Sequence, residues 1–250
     1  MIHPNEATPR TPAPDAPLYE KVKRRLTDAL TRGEWKPGSA IPAERELATR
    51  FGTSVGTVRR AIDELAAENI LIRQQGRGTF VATHTREREL FYFLHVVPQH
   101  DAKQYPDVQL LSFARGKADR ASAEALGIAA GEPVFRIRNV LHLAGRPVIV
   151  DDIALPAVRF PGLTHARFRD RASTIYNLYQ EAFGLSVVRT RERVRATLAD
   201  DATSALLGVD PGAPLLSIRR VALTYRDAPV EYRVSRVNTA RHDYWAEIGA

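Results

Sequence analysis

The chain has no cysteine in its 250 residues, which excludes disulfide bonds and thiolate chemistry. No apolar run approaches the length needed to span a bilayer, and no signal-peptide core opens the sequence. A membrane partner is therefore not expected, and the cytoplasm is the expected compartment. The short signatures of enzymes are missing as well: no nucleophile elbow, no His-Glu-x-x-His and no phosphate loop. His95, His100 and Asp101 would be the one candidate metal cluster, but their spacing fits a surface loop beginning at Pro98 better. No catalytic residue, metal or cofactor is expected.

What is present is the composition of a globular protein, 44% hydrophobic and 26% charged, with a formal net charge of +7. The length allows two modest domains, and the positive balance favours a polyanionic partner. Residues 1–17 carry Pro4, Pro9, Pro12, Pro14 and Pro17 with almost no large apolar side chain, so they are expected to form a disordered arm.

From Leu18 the pattern changes. Val22, Leu26, Ala29 and Leu30 recur at helical spacing and Gly33 ends the run, with Lys21, Arg24 and Arg25 on the outer side. Pro42 can open a second helix, whose Leu47, Ala48 and Phe51 share a face and which Gly52 stops. Ser54 is a plausible N-cap for a third helix, where Val58, Ala61, Ile62 and Leu65 turn inward. That leaves Ser54, Thr57, Arg59 and Arg60 towards solvent, a set suited to phosphate clamping and base-edge reading. Two β-like pieces follow around Gly76-Arg77-Gly78, whose glycines permit a tight turn with Arg77 at its tip. The order is that of a winged helix-turn-helix over residues 18–82.

Residues Leu18 to Val81 resemble the DNA-binding domain of the GntR family of bacterial transcription regulators. The matching residues include Gly33, Pro37-Gly38, the run Pro42 to Ala48, Phe51-Gly52, Thr57-Val58-Arg59 and Gly76 to Val81. The resemblance implies that Arg45, Thr57, Arg59 and Arg77 contact DNA. The position after Ser54 is often arginine in that family and is Val55 here.

Residues 83–89 are polar, lack a clear period and read as a linker. The remainder, 90–250, contains an internal repeat: Leu126-Gly127 through Val140 matches Leu207-Gly208 through Val221, and Asp119 matches Asp200. Each copy reads as strand, short helix ending at Leu-Gly, then a hairpin around Ala144-Gly145-Arg146 or Arg226-Asp227-Ala228. Between the copies, Ile175, Leu178, Tyr179 and Phe183 mark a helix. Two copies point to a pseudo-symmetric α+β domain and not to a solenoid.

This second region resembles the UTRA effector domain of the HutC subfamily, whose antiparallel sheet is similar to that of chorismate lyase. The resemblance implies that it binds a small metabolite and forms a homodimer, and that Asp151, Thr174, Tyr176 and Glu231 occupy effector-contacting positions. Strand alternation sets Asn139 on the same face as Phe135, Ile137, Leu141 and Leu143, with Arg136 and Arg138 opposite. Sugar-phosphate-binding relatives carry arginine at the positions of Asn139 and Leu141, so their loss argues against a phosphosugar. Arg220 stands at the place equivalent to Asn139 and could bind a carboxylate or pair with a strand carboxylate. These groups would suit a small polar ligand carrying amine or hydroxyl groups.

The fold expected is thus α+β, a winged helix-turn-helix followed by a chorismate-lyase-like antiparallel sheet. The function expected is that of a dimeric regulator bound to a pseudo-palindromic operator in double-stranded DNA, a repressor released by an effector. The competing readings are an enzyme of chorismate-lyase-like fold joined to a DNA-binding domain, and a DNA binder indifferent to metabolites.

Overall fold

The computed structural model describes residues 17–246. The chain divides into two compact units between Ala82 and Thr83. The expected disordered arm lies, apart from Pro17, outside the described residues.

In the first unit, α1 (Leu18–Thr31), α2 (Glu44–Phe51) and α3 (Val55–Ala67) precede β1 (Leu71–Gln74) and β2 (Gly78–Val81). The residues spaced for an inner face do form one: Val22, Leu26, Leu47, Val58, Ile62 and Leu65 are all buried. Gly52 closes α2 in the left-handed conformation at φ 64°, where a Cβ would be strained. Ser54 accepts from the Thr57 N–H and caps α3. The β1–β2 hairpin pairs Leu71 with Val81 and Gln74 with Gly78. Gly38 to Ile41 lie along β2 as a third edge, with Gly38 N–H to Val81 O, Val81 N–H to Ser39 O and Ile41 N–H to Thr79 O all at 2.9 Å. The wing is thereby tied to the chain entering α2.

The second unit contains α4 (Arg86–Tyr92), β3 (Val96–Pro98), β4 (Asp107–Lys117), α5 (Arg120–Leu126), β5 (Pro133–Leu143), β6 (Arg146–Pro156), α6 (His165–Arg169), α7 (Ile175–Phe183), β7 (Arg189–Leu198), α8 (Asp201–Leu207), β8 (Pro214–Leu223), β9 (Pro229–Val237) and β10 (His242–Tyr244). Six of the strands form an antiparallel sheet in the order β4-β5-β6-β9-β8-β7, and β10 pairs with β3 as a separate ribbon. The repeat is realised as β4-α5-β5-β6 followed by β7-α8-β8-β9, joined where β6 meets β9. Asp119 and Asp200 cap the two short helices by accepting from Ser122 and Thr203 N–H at 2.8 and 2.7 Å. Gly127 and Gly208 end them at φ 63° and 64°. The helices pack crosswise: α5 lies on β9 and α8 on β6, so each half covers the other.

The opposite face of the sheet is covered by α7 and the segments before it. There Phe135, Ile137, Ile153, Leu155, Phe160, Phe168, Tyr176 and Tyr179 form the main core. Asn139 is buried on this face, directly across from Asp151. Arg136 and Arg138 lie on the other, as strand alternation requires.

Residues 83–89, expected as a linker, are ordered at the start of the second unit. Thr85 caps α4 by accepting from the Arg88 N–H, so the helix takes up the second half of the stretch. Before it, His84 is pinned to α7: its N–H donates to Gln180 Oε1 at 3.0 Å and its carbonyl accepts from Asn177 Nδ2 at 3.0 Å. Its Nε2 accepts from the Val187 N–H at 3.1 Å. A seven-residue helix is too short to display a period, and polar side chains that find buried partners read as solvated ones.

Candidate functional site

The first unit presents a cleft between α2, α3 and the wing, lined by Glu44, Arg45, Val55, Arg59, Arg77 and Gly78 among others. Three of the expected DNA-contacting arginines therefore share one concave face. Arg45 is exposed, and Arg77 at the wing turn lies with its guanidinium 5.9 Å from the centre of the Phe80 ring. Gly76 and Gly78 take φ values of 70° and 113°, which only glycine adopts without strain, and so set the turn that presents Arg77. Arg59 Nε donates to Glu44 Oε2 at 2.9 Å. Arg73 bridges Glu44 at 3.1 Å and Asp63 at 2.7 Å. The Arg59 head is thus held by an acid at the base of the cleft, and the arginine hydrogen bond draws the Glu44 carboxyl below its ordinary range against the opposing effect of burial. Ser54 and Thr57 share a hydroxyl contact of 2.9 Å at the helix N-terminus. Arg60 parts from the group, because its guanidinium stacks on the Tyr19 ring of α1 at 3.9 Å. Successive helical residues point about 100° apart, so adjacent arginines cannot serve one face.

In the second unit, the inward faces of β5, β6, β8 and β9, with Glu89 of α4 and the residues after that helix, line a cavity of about 30 Å³, room for about one water. Its walls include Glu89, Tyr105, Asp151, Ile175, Arg220 and Arg233. Arg233 Nε and Nη2 donate to Glu231 at 2.9 and 3.0 Å, and Nη1 donates to Asp151 at 3.1 Å. Asp151 also accepts from the Ser235 hydroxyl. Tyr179 and Tyr176 donate their hydroxyls to the two Glu231 oxygens at 2.7 and 3.3 Å. Arg220 is bound by Glu192 and by the Phe93 carbonyl, and Tyr244 donates to the same Glu192. Burial pushes the Asp151 carboxyl up, opposed by Arg233 and the Ser235 hydroxyl. It pushes Glu89 up as well, opposed by a hydrogen bond from the Thr174 hydroxyl.

The six effector positions read from the sequence thus separate by role. Asp151 and Arg220 reach the cavity wall. Glu231 and Tyr176 are fully buried partners behind it. Thr174 caps α7 by accepting from the Asn177 N–H at 3.1 Å. Asn139 leaves both its amide oxygen and nitrogen without a partner. Sequence reasoning missed Arg233, Glu89 and Tyr105. Arg233 had a signal, since it follows Glu231 by two on a strand and must share its face. Glu89 was hidden in the stretch read as linker.

A helix-turn-helix with a wing and three arginines in its cleft, followed by a sheet unit with a small pocket walled by charged and apolar side chains, defines a two-unit DNA-binding regulator. The comparisons with known proteins agree. Residues 18–81 match the family described as "Bacterial regulatory proteins, gntR family", and residues 101–243 match the UTRA domain. The chain belongs to the GntR family, in its UTRA-containing branch, and is a transcription regulator and not an enzyme. It is 31% identical over 225 residues to an Escherichia coli protein named "Probable fructoselysine utilization operon transcriptional repressor", covering 85% of this chain and 87% of that one. It is 32% identical over 206 residues to the histidine utilization repressor of Klebsiella aerogenes, covering 82% and 84%. The ligand-binding domain of a GntR-family regulator from Bordetella bronchiseptica superposes with a TM-score of 0.61 at 34% identity, covering 64% of this chain and 99% of that one. Among the described residues no helix is long and apolar enough to cross a membrane.

Proposed function

We propose that the chain is a cytoplasmic, homodimeric repressor that occupies a pseudo-palindromic operator and leaves it when a small polar metabolite enters the second unit. The observation that carries this reading is the cavity. Its walls carry two arginines and two carboxylates in a buried interior, at a desolvation cost that packing alone would not require. The names of the relatives, repressors of utilisation systems, support the direction of control. Arg45, Arg59 and Arg77 with the Ser54–Thr57 helix start are the proposed DNA contacts, one α3 per half-site. Arg60 serves α1 instead. Asp151 and Arg220 are the proposed wall of the effector site, with Asn139 beside them and Thr174, Tyr176 and Glu231 holding them in place. Because α7 grips His84, displacement of α7 by a ligand would alter the tether to the DNA-binding unit.

The test is a mobility-shift assay on DNA flanking the chain's own gene, at fixed salt, across amino acids, organic acids, sugars and sugar phosphates. Release by one compound supports the reading. Sequence-specific binding that no compound alters would remove its sensing half.

A further inference from the structure

We infer that Glu89 is an effector-contacting residue and that the effector presents it with an ammonium group. This rests on the reading of the second unit as a metabolite sensor, and it follows from which polar groups around the cavity remain unmatched. Both arginines already serve carboxylates: Arg233 commits Nε, Nη1 and Nη2 to Glu231 and Asp151, and Arg220 is bound by Glu192 and the Phe93 carbonyl. Neither guanidinium is without a carboxylate of its own, so a phosphate or carboxylate of the ligand would have to compete with Glu192, Glu231 or Asp151. The unmatched capacity is of the opposite kind. Glu89 lines the cavity, and its Oε2 is shielded from solvent with no hydrogen-bond partner, although the residue as a whole retains some exposure. Its other link is to the Thr174 hydroxyl, which fixes the carboxyl from the start of α7. Asn139, with 0% exposure, has both amide atoms unpaired. The strand register sets it directly across from Asp151, a wall residue, and two residues before Leu141, another.

Buried polar groups without partners are rare and costly. An acceptor oxygen on a carboxyl group and an unpaired amide oxygen ask for a donor-rich head, and the unpaired Asn139 nitrogen asks for an acceptor beside it. The charges on the wall give the sign. In their ionised forms Glu89, Asp151, Arg220 and Arg233 sum to zero, and Glu231 and Glu192 behind them leave the cluster two charges negative. Arg171, in electrostatic reach of Glu89, returns one of these. An ammonium would complete the balance and hold Glu89 and Asp151 in the ionised form against the burial that pushes both carboxyls up, whereas an anion would deepen the deficit. A neutral hydroxyl would satisfy the hydrogen bond and leave the charge uncompensated.

The experiment uses the full chain, its Glu89→Gln variant and compounds paired by replacing an amine with a hydroxyl: ethylamine against ethanol, putrescine against butanediol, and D-glucosamine against D-glucose. Thermal shift reads binding, and release of flanking DNA reads response. Gln keeps the shape of the side chain and its bond to Thr174, and an unchanged melting temperature without ligand confirms that the variant folds. At least one amine is expected to raise the melting temperature of the wild type where its hydroxyl partner does not, and Glu89→Gln is expected to weaken that amine by roughly 10- to 100-fold. A set in which no amine stabilises the wild type, in which each hydroxyl does as well as its amine, or in which Glu89→Gln binds unchanged overturns the inference. Release of DNA by a compound lacking an amine would leave the sensor reading standing and this inference fallen. An amine that binds through Glu89 without releasing DNA would do the reverse.

Discussion

Arg233 donates Nε and Nη2 to both oxygens of Glu231, two residues earlier on the same strand, with both side chains almost wholly buried. A fork so close along the chain needs β9 to place both residues on one face, and the strand then offers the spare Nη1 to Asp151 on β6. This cluster is expected to carry stability. Glu231→Ala leaves Arg233 with half its partners and strands the hydroxyls of Tyr176 and Tyr179. A loss of about 3–5 kcal/mol is expected. Glu231→Gln retains the hydrogen-bonding shape and should lose less. Thermal or urea melts of the two variants decide it. An alanine variant that melts like the wild type would mean that the cluster is dispensable to the fold.

Arg59 is held by Glu44 in the DNA-free chain, so the two substitutions should act differently on DNA. Arg59→Ala is expected to cost about 1–3 kcal/mol of specific binding with no loss of melting temperature. Glu44→Gln frees the guanidinium and removes an acid from the cleft. Affinity for random DNA should rise while the ratio of specific to random binding falls. Titrations of operator and scrambled duplexes at two salt concentrations measure both. If Glu44→Gln leaves the ratio unchanged, Glu44 does not position Arg59 for reading.

Arg60 should behave as a packing residue. Its stack on Tyr19 joins α3 to α1, and contacts of this kind are worth about 0.5–2 kcal/mol. Arg60→Ala is therefore expected to lower the melting temperature of the chain while its effect on operator affinity stays well below that of Arg59→Ala. The opposite ranking in the binding titrations would return Arg60 to the DNA face.

The contrast between Arg59 and Arg60 shows what the sequence made legible. The inner faces of α1, α2 and α3 were readable because a core imposes a period on side chains that must all be apolar, as Val58, Ala61, Ile62 and Leu65 show. The two halves of the sheet were readable because the pieces that recur, Asp caps and Leu-Gly helix ends, are local devices. The partners of polar residues were not readable. Whether Arg220 binds a ligand or Glu192, whether Glu89 is solvated or lines a cavity, and whether Arg60 turns to DNA or to Tyr19 all depend on long-range contacts. No spacing within one segment encodes them.

His84 ties the start of the second unit to its core, and it can do so only while neutral. Its Nε2 accepts from the Val187 N–H, so protonation there would end the bond and place a cation among Phe93 and Tyr176. Burial first, and then the nearby Arg88, depress its pKa to about 3. The folded value lies below the unfolded one, near 6.5. The stabilising contribution is therefore complete above pH 6.5 and is lost as the pH falls towards 3, at up to about 1.4 kcal/mol per pH unit. Glu89 and Asp151, raised by burial, act with the opposite sign, since their contribution is lost as pH rises. They remain in a His84→Gln variant and cancel in the comparison. Gln retains an acceptor for Val187 without a titrating proton, so between pH 6.5 and 4.5 the melting temperature of the wild type should fall more steeply than that of the variant. Parallel curves would mean that His84 takes up its proton in the folded chain. The Val187 N–H would then lose its acceptor within the folded chain, and the bond would carry no net stability over this range.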